Sequence, residues 1–292
     1  MKKLLGRTHD YLSLVRFSHT VFAMPFALAG YFIGATEPGY GFSLRTFLLV
    51  LACMVFARSA AMGFNRWADV RFDALNHRTA VREIPSGKIS RRQALTFVIG
   101  SSLLFVIATA FLNRLTLILS PVALLVVLGY SYTKRFTPLC HLVLGLGLSL
   151  APIGAYIAVT GTFAILPLIY SFIVLTWVSG FDIIYSLQDD QFDRETGLYS
   201  IPAVMSRRRA LAVSIALHML SVVMVVIAGF SGGAGWIYWT GAIIFVVMLF
   251  YQHLIVKPDD LSRVNMAFGT TNGIAGVIFG LAVVLDLLIL KT

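Results

Sequence analysis

Nine apolar runs, each close to the length a helix needs to cross a bilayer, leave this chain few architectures to adopt. They fall near 14–36, 44–65, 93–112, 115–132, 141–160, 165–187, 210–230, 235–254 and 265–289. In lipid the backbone must satisfy its own hydrogen bonds, so such runs fold as helices. Only 12% of the residues are charged, against 58% hydrophobic, where an ordinary soluble domain carries about 25% charged. The expectation is an all-α polytopic membrane protein, with nine transmembrane helices in one bundle. No Pro- or Gly-rich linker divides it, so residues 1–292 are read as a single domain. The first run continues past signal-peptide length and no A-x-A site stands out, so no cleaved leader is expected.

A net charge of +10 would suit a nucleic-acid binder, but its distribution follows the membrane instead. Threading nine spans puts nineteen of the twenty-three Lys and Arg on the side of the N-terminus. Arg45, Arg114 and Lys291 fall on the other side, and Arg58 within a span. By the positive-inside rule the N-terminus and the long polar loops are cytoplasmic and the C-terminus is outside, in a cell's inner membrane. Lipid bilayer is thus an expected partner and nucleic acid is not. The two cysteines, Cys53 and Cys140, read as apolar fillers rather than a disulfide.

The second run exits through "NRWADVRFD", which places Asn65, Asp69 and Asp73 four residues apart. The sixth exits through "YSLQDDQFD", which places Tyr185, Asp189 and Asp193 at the same spacing. Positions i, i+4 and i+8 lie close to one helix face. Each stripe leads into a similar tail, "REIPSG" after the first and "LYSIP" after the second, with four spans between them. This weak echo suggests two related halves facing one another across a shared site. Asp182 joins the second stripe one to two turns deeper. Asp190 lies off it by about 100°.

Carboxylates aligned on one face repel each other, and near the bilayer centre each costs about 2.5–3.5 kcal/mol. Two such stripes imply a positive charge between them. An oxygen-only set without His or Cys favours a hard cation, Mg²⁺ first, and Mg²⁺ commonly shares carboxylates with substrate phosphates. Asn65, Asp69, Asp73, Asp189 and Asp193 are the metal candidates, the four aspartates also the catalytic ones. Basic groups to hold phosphate follow at once. Arg78 and Arg82 lie just beyond the first stripe, and "GYSYTKRFTP" places Tyr130 and Lys134 at i, i+4. Guanidinium forks and ammonium groups bind diphosphate oxygens. Four other bases of the second connection, Arg71, Lys88, Arg91 and Arg92, read as topogenic charges. Arg16, at the start of the first run, either snorkels to the interface or holds an anionic co-substrate; we read it as the latter.

These residues resemble the UbiA-type family of intramembrane aromatic prenyltransferases. The family pattern, N-x3-D-x3-D after the second helix and D-x3-D after the sixth of nine, is matched by Asn65, Asp69, Asp73, Asp189 and Asp193. Similarity extends through "FSHTVFAMPFALAG", "NHRTAVREIPSGKIS", "YSYTKRFT" and "FDIIYSLQDDQFDRETGLYSIP", covering about 14–205. The resemblance implies a polyprenyl diphosphate bound through Mg²⁺ and an aromatic ring that accepts the chain. Arg16 and Asp182 would then meet the aromatic substrate, Asp182 having an equal claim to a structural role. Phe22, Phe26, Phe64 and Tyr156 are candidates to shield an allylic cation, although packing is the commoner use of such aromatics. "RTAVREIPSG" and "HTVFAMPFAL" look like the 4-hydroxybenzoate branch. "SLQDDQFDRETGLYSIP" is closer to a branch serving menaquinone by the futalosine route, whose acceptor is a dihydroxynaphthoate. Both acceptors are aromatic carboxylic acids with a ring hydroxyl. The competing readings are prenylation of another acceptor such as haem, and a transporter coupled to cations or protons. A transporter would favour acids at mid-helix and broken helices lined by Gly or Pro.

Overall fold

The computed structural model describes residues 10–11, 13–15 and 24–290. Among these, the regular structure is helical: α1 Met24–Ala35, α2 Leu44–Ala68, α3 Val70–Leu75, α4 Arg91–Ala110, α5 Arg114–Thr133, α6 Cys140–Thr160 and α7 Ile165–Ser186. A 3₁₀ turn, Leu187–Asp189, leads to α8 Asp190–Thr196, α9 Ile201–Val204, α10 Arg207–Ser231, α11 Trp236–Ile255 and α12 Val264–Met266. A π-helical turn, Ala267–Thr271, then precedes α13 Asn272–Leu290. Eight helical segments among the described residues are long and apolar enough to cross a membrane, and α1 adds twelve apolar residues. The chain is an integral membrane protein. Every span expected from hydropathy has its helix, although the start of the first, 16–23, lies outside the described residues.

Helix starts follow from local polar chemistry. Ser43 accepts a bond from the Thr46 amide, and the Ser90/Gln93 and Asn113/Thr116 pairs form reciprocal capping boxes ahead of α4 and α5. The run expected from 210 begins instead at Arg207, because Ser206 caps the Arg209 amide and draws three arginines into the first turn. At the far end, Asp286 of α13 is almost fully buried. It accepts from the amides of Gly235 (2.8 Å) and Tyr238 (3.0 Å), capping α11 from a neighbouring helix. That accounts for an acid in an otherwise apolar segment.

Neighbouring helices close a ring: α1 packs on α6, α6 on α7, α7 on α10, α10 on α11, α11 on α13, and α13 back on α1. Its centre is Trp177, fully buried against Phe26, Phe181 and Phe245. A β-carbon on Gly145 would meet Ser179 Oγ at 2.3 Å and Leu175 O at 2.5 Å, so glycine there lets α6 and α7 approach backbone to backbone. Helices α2, α4 and α5 pack against one another outside this ring. They expose Leu48, Ile99, Leu103, Ile118 and Leu125 as a lipid-facing coat.

Candidate active site

Both acidic stripes lie on helices that break at their first aspartate. Helix α2 ends at Asp69 (φ −92°, ψ 7°), and α8 begins after Asp189 (φ −110°, ψ 5°). Both occupy the sparsely populated bridge region where active-site residues often sit. This corrects the expectation of two unbroken helical faces. The first stripe survives its break because helical bonds persist on either side, Asp69 N to Asn65 O (2.9 Å) and Asp73 N to Asp69 O (2.8 Å). Asn65 also donates to Asp69 Oδ2 at 3.0 Å.

The two stripes line one cavity of about 290 Å³. Asn65, Asp69, Asp73, Arg78, Arg82, Tyr130, Lys134, Asp182, Asp189 and Asp193, all read from the sequence as site residues, border it together with Tyr185. Arg16 and Phe22 lie outside the described residues. The other proposed shielding aromatics are not at this cavity. Phe26 is locked into the Trp177 core, Phe64 stacks on Trp67, and Tyr156 reaches towards Glu37. Phe26 meets Trp177 of α7 and Phe64 also meets Tyr132 of α5, so packing between helices takes both away from the cavity. The aromatic walls are Phe72, Tyr130, Phe181, Tyr185, Phe192 and Phe268.

Each motif aspartate has one basic partner. Arg82 bonds Asp73 (2.6 Å), Arg135 bonds Asp69 (3.2 Å), Lys134 pairs with Asp193 (2.7 Å), and Arg78 forks onto both oxygens of Asp189. The arrangement is crossed. Arg78 and Arg82 follow the first motif, yet Arg78 reaches the second; Lys134 and Arg135 are adjacent, yet each serves a different motif. Two basic pairs thus tie the two acid motifs into one cluster. Asn76 adds a bond to Asp189 (3.1 Å), and the Tyr185 hydroxyl accepts from Arg78 (2.9 Å).

The electrostatics match this pairing. Burial pushes the Asp69 carboxyl above the usual carboxylate range, with Asp73 adding to the push and Arg135 only partly opposing it. Burial would lower the Lys134 ammonium, but Asp193 and Asp189 outweigh it and hold the value above normal. Arg78 is raised in the same way by Asp189 and Tyr185. Among the described residues no three His, Cys, Asp or Glu side chains converge on one point. The donor set nevertheless fits a hard cation that takes other ligands from its substrate: Asn65, Asp69, Asp73, Asp189 and Asp193 bring oxygen donors to one cavity, and Asp73 Oδ2 is buried with no hydrogen-bond partner.

Some lining residues escaped the sequence reading. Arg135, next to Lys134 in the sequence, bonds Asp69 and was given no part in the site. Arg58 was noted only as a charge within a span, although an intramembrane base is itself a signal of function. Asn76 and His141 carried no spacing signal, since each arrives through tertiary folding. Asp190, rated below its neighbour, turns away from the cavity and clamps Arg207 (2.9 Å to each oxygen) and Arg194 (2.6 Å). Cys53 and Cys140 are both free.

A family model described as the UbiA prenyltransferase family matches residues 23–281. A 4-hydroxybenzoate octaprenyltransferase of Nitrosospira multiformis is 31% identical over 249 residues, 84% of each chain. Among solved structures, the apo structure of a UbiA homolog from Aeropyrum pernix K1 superposes with a TM-score of 0.83 at 34% identity, covering 92% of this chain and 98% of the other. A UbiA homolog from Archaeoglobus fulgidus bound to GPP and Mg²⁺ gives 0.71 at 20% identity, over 94% and 99% of the chains, a likeness of fold.

Proposed function

Because this chain belongs to the UbiA prenyltransferase family and is thereby a transferase of prenyl groups, we propose that it moves a polyprenyl chain from its diphosphate onto an aromatic carboxylic acid of quinone biosynthesis. The names of its curated relatives favour 4-hydroxybenzoate as that acceptor. A dihydroxynaphthoate is the second reading, favoured by the segment 187–202. The observation that carries the proposal is the crossed pairing of four aspartates with four bases around one cavity.

In this reading Asn65, Asp69, Asp73, Asp189 and Asp193 hold Mg²⁺, while Arg78, Arg82, Lys134 and Tyr130 hold the diphosphate. Bound there, Mg²⁺ would neutralise charge on the departing diphosphate as the allylic C–O bond ionises. The protein's part is an exchange of partners. When a magnesium diphosphate enters, the aspartates release their bases to the phosphate oxygens and keep the metal side, so no buried charge is left alone. Arg78 and Lys134, which cross to the second motif, can then grip the diphosphate from opposite sides. Phe181, Tyr185 and Phe268 offer π faces to the allylic cation, and the apolar walls keep water from it.

A cavity of about 290 Å³ lies at the lower end of small-ligand pockets, roughly 300–1,000 Å³. It suits a diphosphate and one ring, so a long isoprenoid tail extends between helices into lipid. Residues 1–292 act as one unit, with N-terminus and cavity mouth cytoplasmic and the C-terminus outside, in the inner membrane.

The test offers purified protein Mg²⁺, one polyprenyl diphosphate, and 4-hydroxybenzoate and the dihydroxynaphthoate in competition, with mass spectrometry of the lipid products. One prenylated acid is expected, and its formation stops in excess EDTA. Prenylation of neither acid, or full activity in EDTA, overturns the proposal.

A further inference from the structure

Below the diphosphate cluster, the cavity wall holds an acid–base pair that the metal and phosphate roles leave unused. Asp182 lies on α7, seven residues before Asp189, which places it about 10 Å deeper along the helix. Its Oδ2 sits 2.7 Å from Nδ1 of His141 on α6, and both residues line the cavity. His141 is almost wholly buried, whereas the Asp182 side chain keeps 22% of its surface open. The imidazole is held from behind as well, since the Ile201 amide donates to Nε2 at 3.2 Å. That bond assigns the tautomer: Nε2 accepts, so Nδ1 carries the proton and donates it to Asp182. Ile201 belongs to the "LYSIP" tail, and its neighbour Ser200 donates to Asp193 at 2.8 Å. One short segment therefore braces both the deep pair and the second motif.

We propose that Asp182, oriented by His141, is the catalytic base for the acceptor's ring hydroxyl. This deepens the function proposed above and rests on it. The separation suits the chemistry. With the diphosphate at the Asp189 level, prenyl C1 would lie beside it, and Phe181, which borders the cavity next to Asp182, offers a face for the acceptor ring at the deeper level. Asp182 takes the phenolic proton as the ring attacks. The C1–O bond breaks with its electron pair going to diphosphate, and a C–C bond forms from C1 to the carbon ortho to the hydroxyl. The resulting dienone loses its ring proton to the released diphosphate, which restores aromaticity. Asp182 then returns its proton to the oxygen, so the one proton lost from the ring leaves on the diphosphate. His141 is a positioning residue: with one nitrogen fixed by Ile201, it holds Asp182 with an oxygen free towards the ring.

The test compares 4-hydroxybenzoate with 3-fluoro-4-hydroxybenzoate, whose hydroxyl is more acidic and which retains one free ortho position. Farnesyl diphosphate with Mg²⁺ is the donor. Asp182→Asn should lower kcat/KM for 4-hydroxybenzoate by about 100- to 10,000-fold, while its calorimetric affinity for Mg²⁺–farnesyl diphosphate stays within twofold of the unaltered protein. The rate ratio of fluorinated to plain acceptor should rise at least tenfold in Asp182→Asn. His141→Phe should show the same shift in weaker form, and His141→Gln, which can still donate to Asp182, should recover most of the rate. Unchanged kcat/KM in Asp182→Asn, or an equal loss with both acceptors, overturns the assignment. If Asp182→Asn fails to bind the donor, the two His141 variants decide, and an equal acceptor ratio in both overturns it. Failure of the unaltered protein to prenylate either acid would instead remove the function on which this rests.

Discussion

The two aspartate motifs share a spacing and a broken helix, yet they are built on different foundations. The first rides on α2, of whose apolar window only 17% is buried, beside α4 and α5 at 28% and 17%. The second continues from α7, where 67% is buried. Asp69 keeps 27% of its side chain exposed, whereas Asp193 has none and is held by Lys134 and Ser200. The lipid-facing half is thus positioned chiefly by polar contacts at the cavity, and the Trp177 half by packing. A bipartite site of this kind can adjust one jaw while the other stays fixed.

The sharpest test of that asymmetry pairs Asp193→Ala with Asp69→Ala. Both should abolish transfer of a radiolabelled prenyl chain. Asp193→Ala should also cost about 1–3 kcal/mol of stability, because it removes a fully buried carboxylate that accepts from Ser200 and pairs with Lys134, while Asp69→Ala, at a part-exposed carboxylate, should leave the thermal midpoint in detergent nearly unchanged. Equal losses in melting would erase the distinction between the jaws.

A smaller effect is expected at the crossed bases. Lys134→Ala should raise KM for the prenyl diphosphate at least tenfold and leave that of the aromatic acid within about twofold, a loss of one charge-assisted contact. Equal shifts for both substrates would remove its phosphate role. Asp190→Asn comes next. It loosens the clamp between α8 and α10 and should cost about 1–3 kcal/mol in melting, with kcat per folded molecule changed less than threefold. Last is Asp286→Asn, remote from the cavity, which weakens a helix cap worth about 1 kcal/mol. Normal kinetics with a slightly lower midpoint is the expected result.

Much of this was legible along the chain because both signals are local. Hydropathy located the spans, and the i, i+4, i+8 spacing picked out the acids, since these depend on the pitch of one helix at a time. The shielding aromatics were misplaced for the opposite reason. Phe26, Phe64 and Tyr156 sit at spacings shared by every packed face, and only the neighbouring helix decides whether such a face meets a cavity or a core. Arg135 and Asn76 were passed over because their partners, Asp69 and Asp189, lie 66 and 113 residues away.

By itself the sequence determined the helices, the family and the acidic motifs, because lipid forces the backbone into helices and a helix fixes which residues share a face. Tertiary structure alone decided which base serves which acid, and that Asp182 has a histidine behind it. Charge pairing is set by distances between helices, and no periodicity within one helix encodes those.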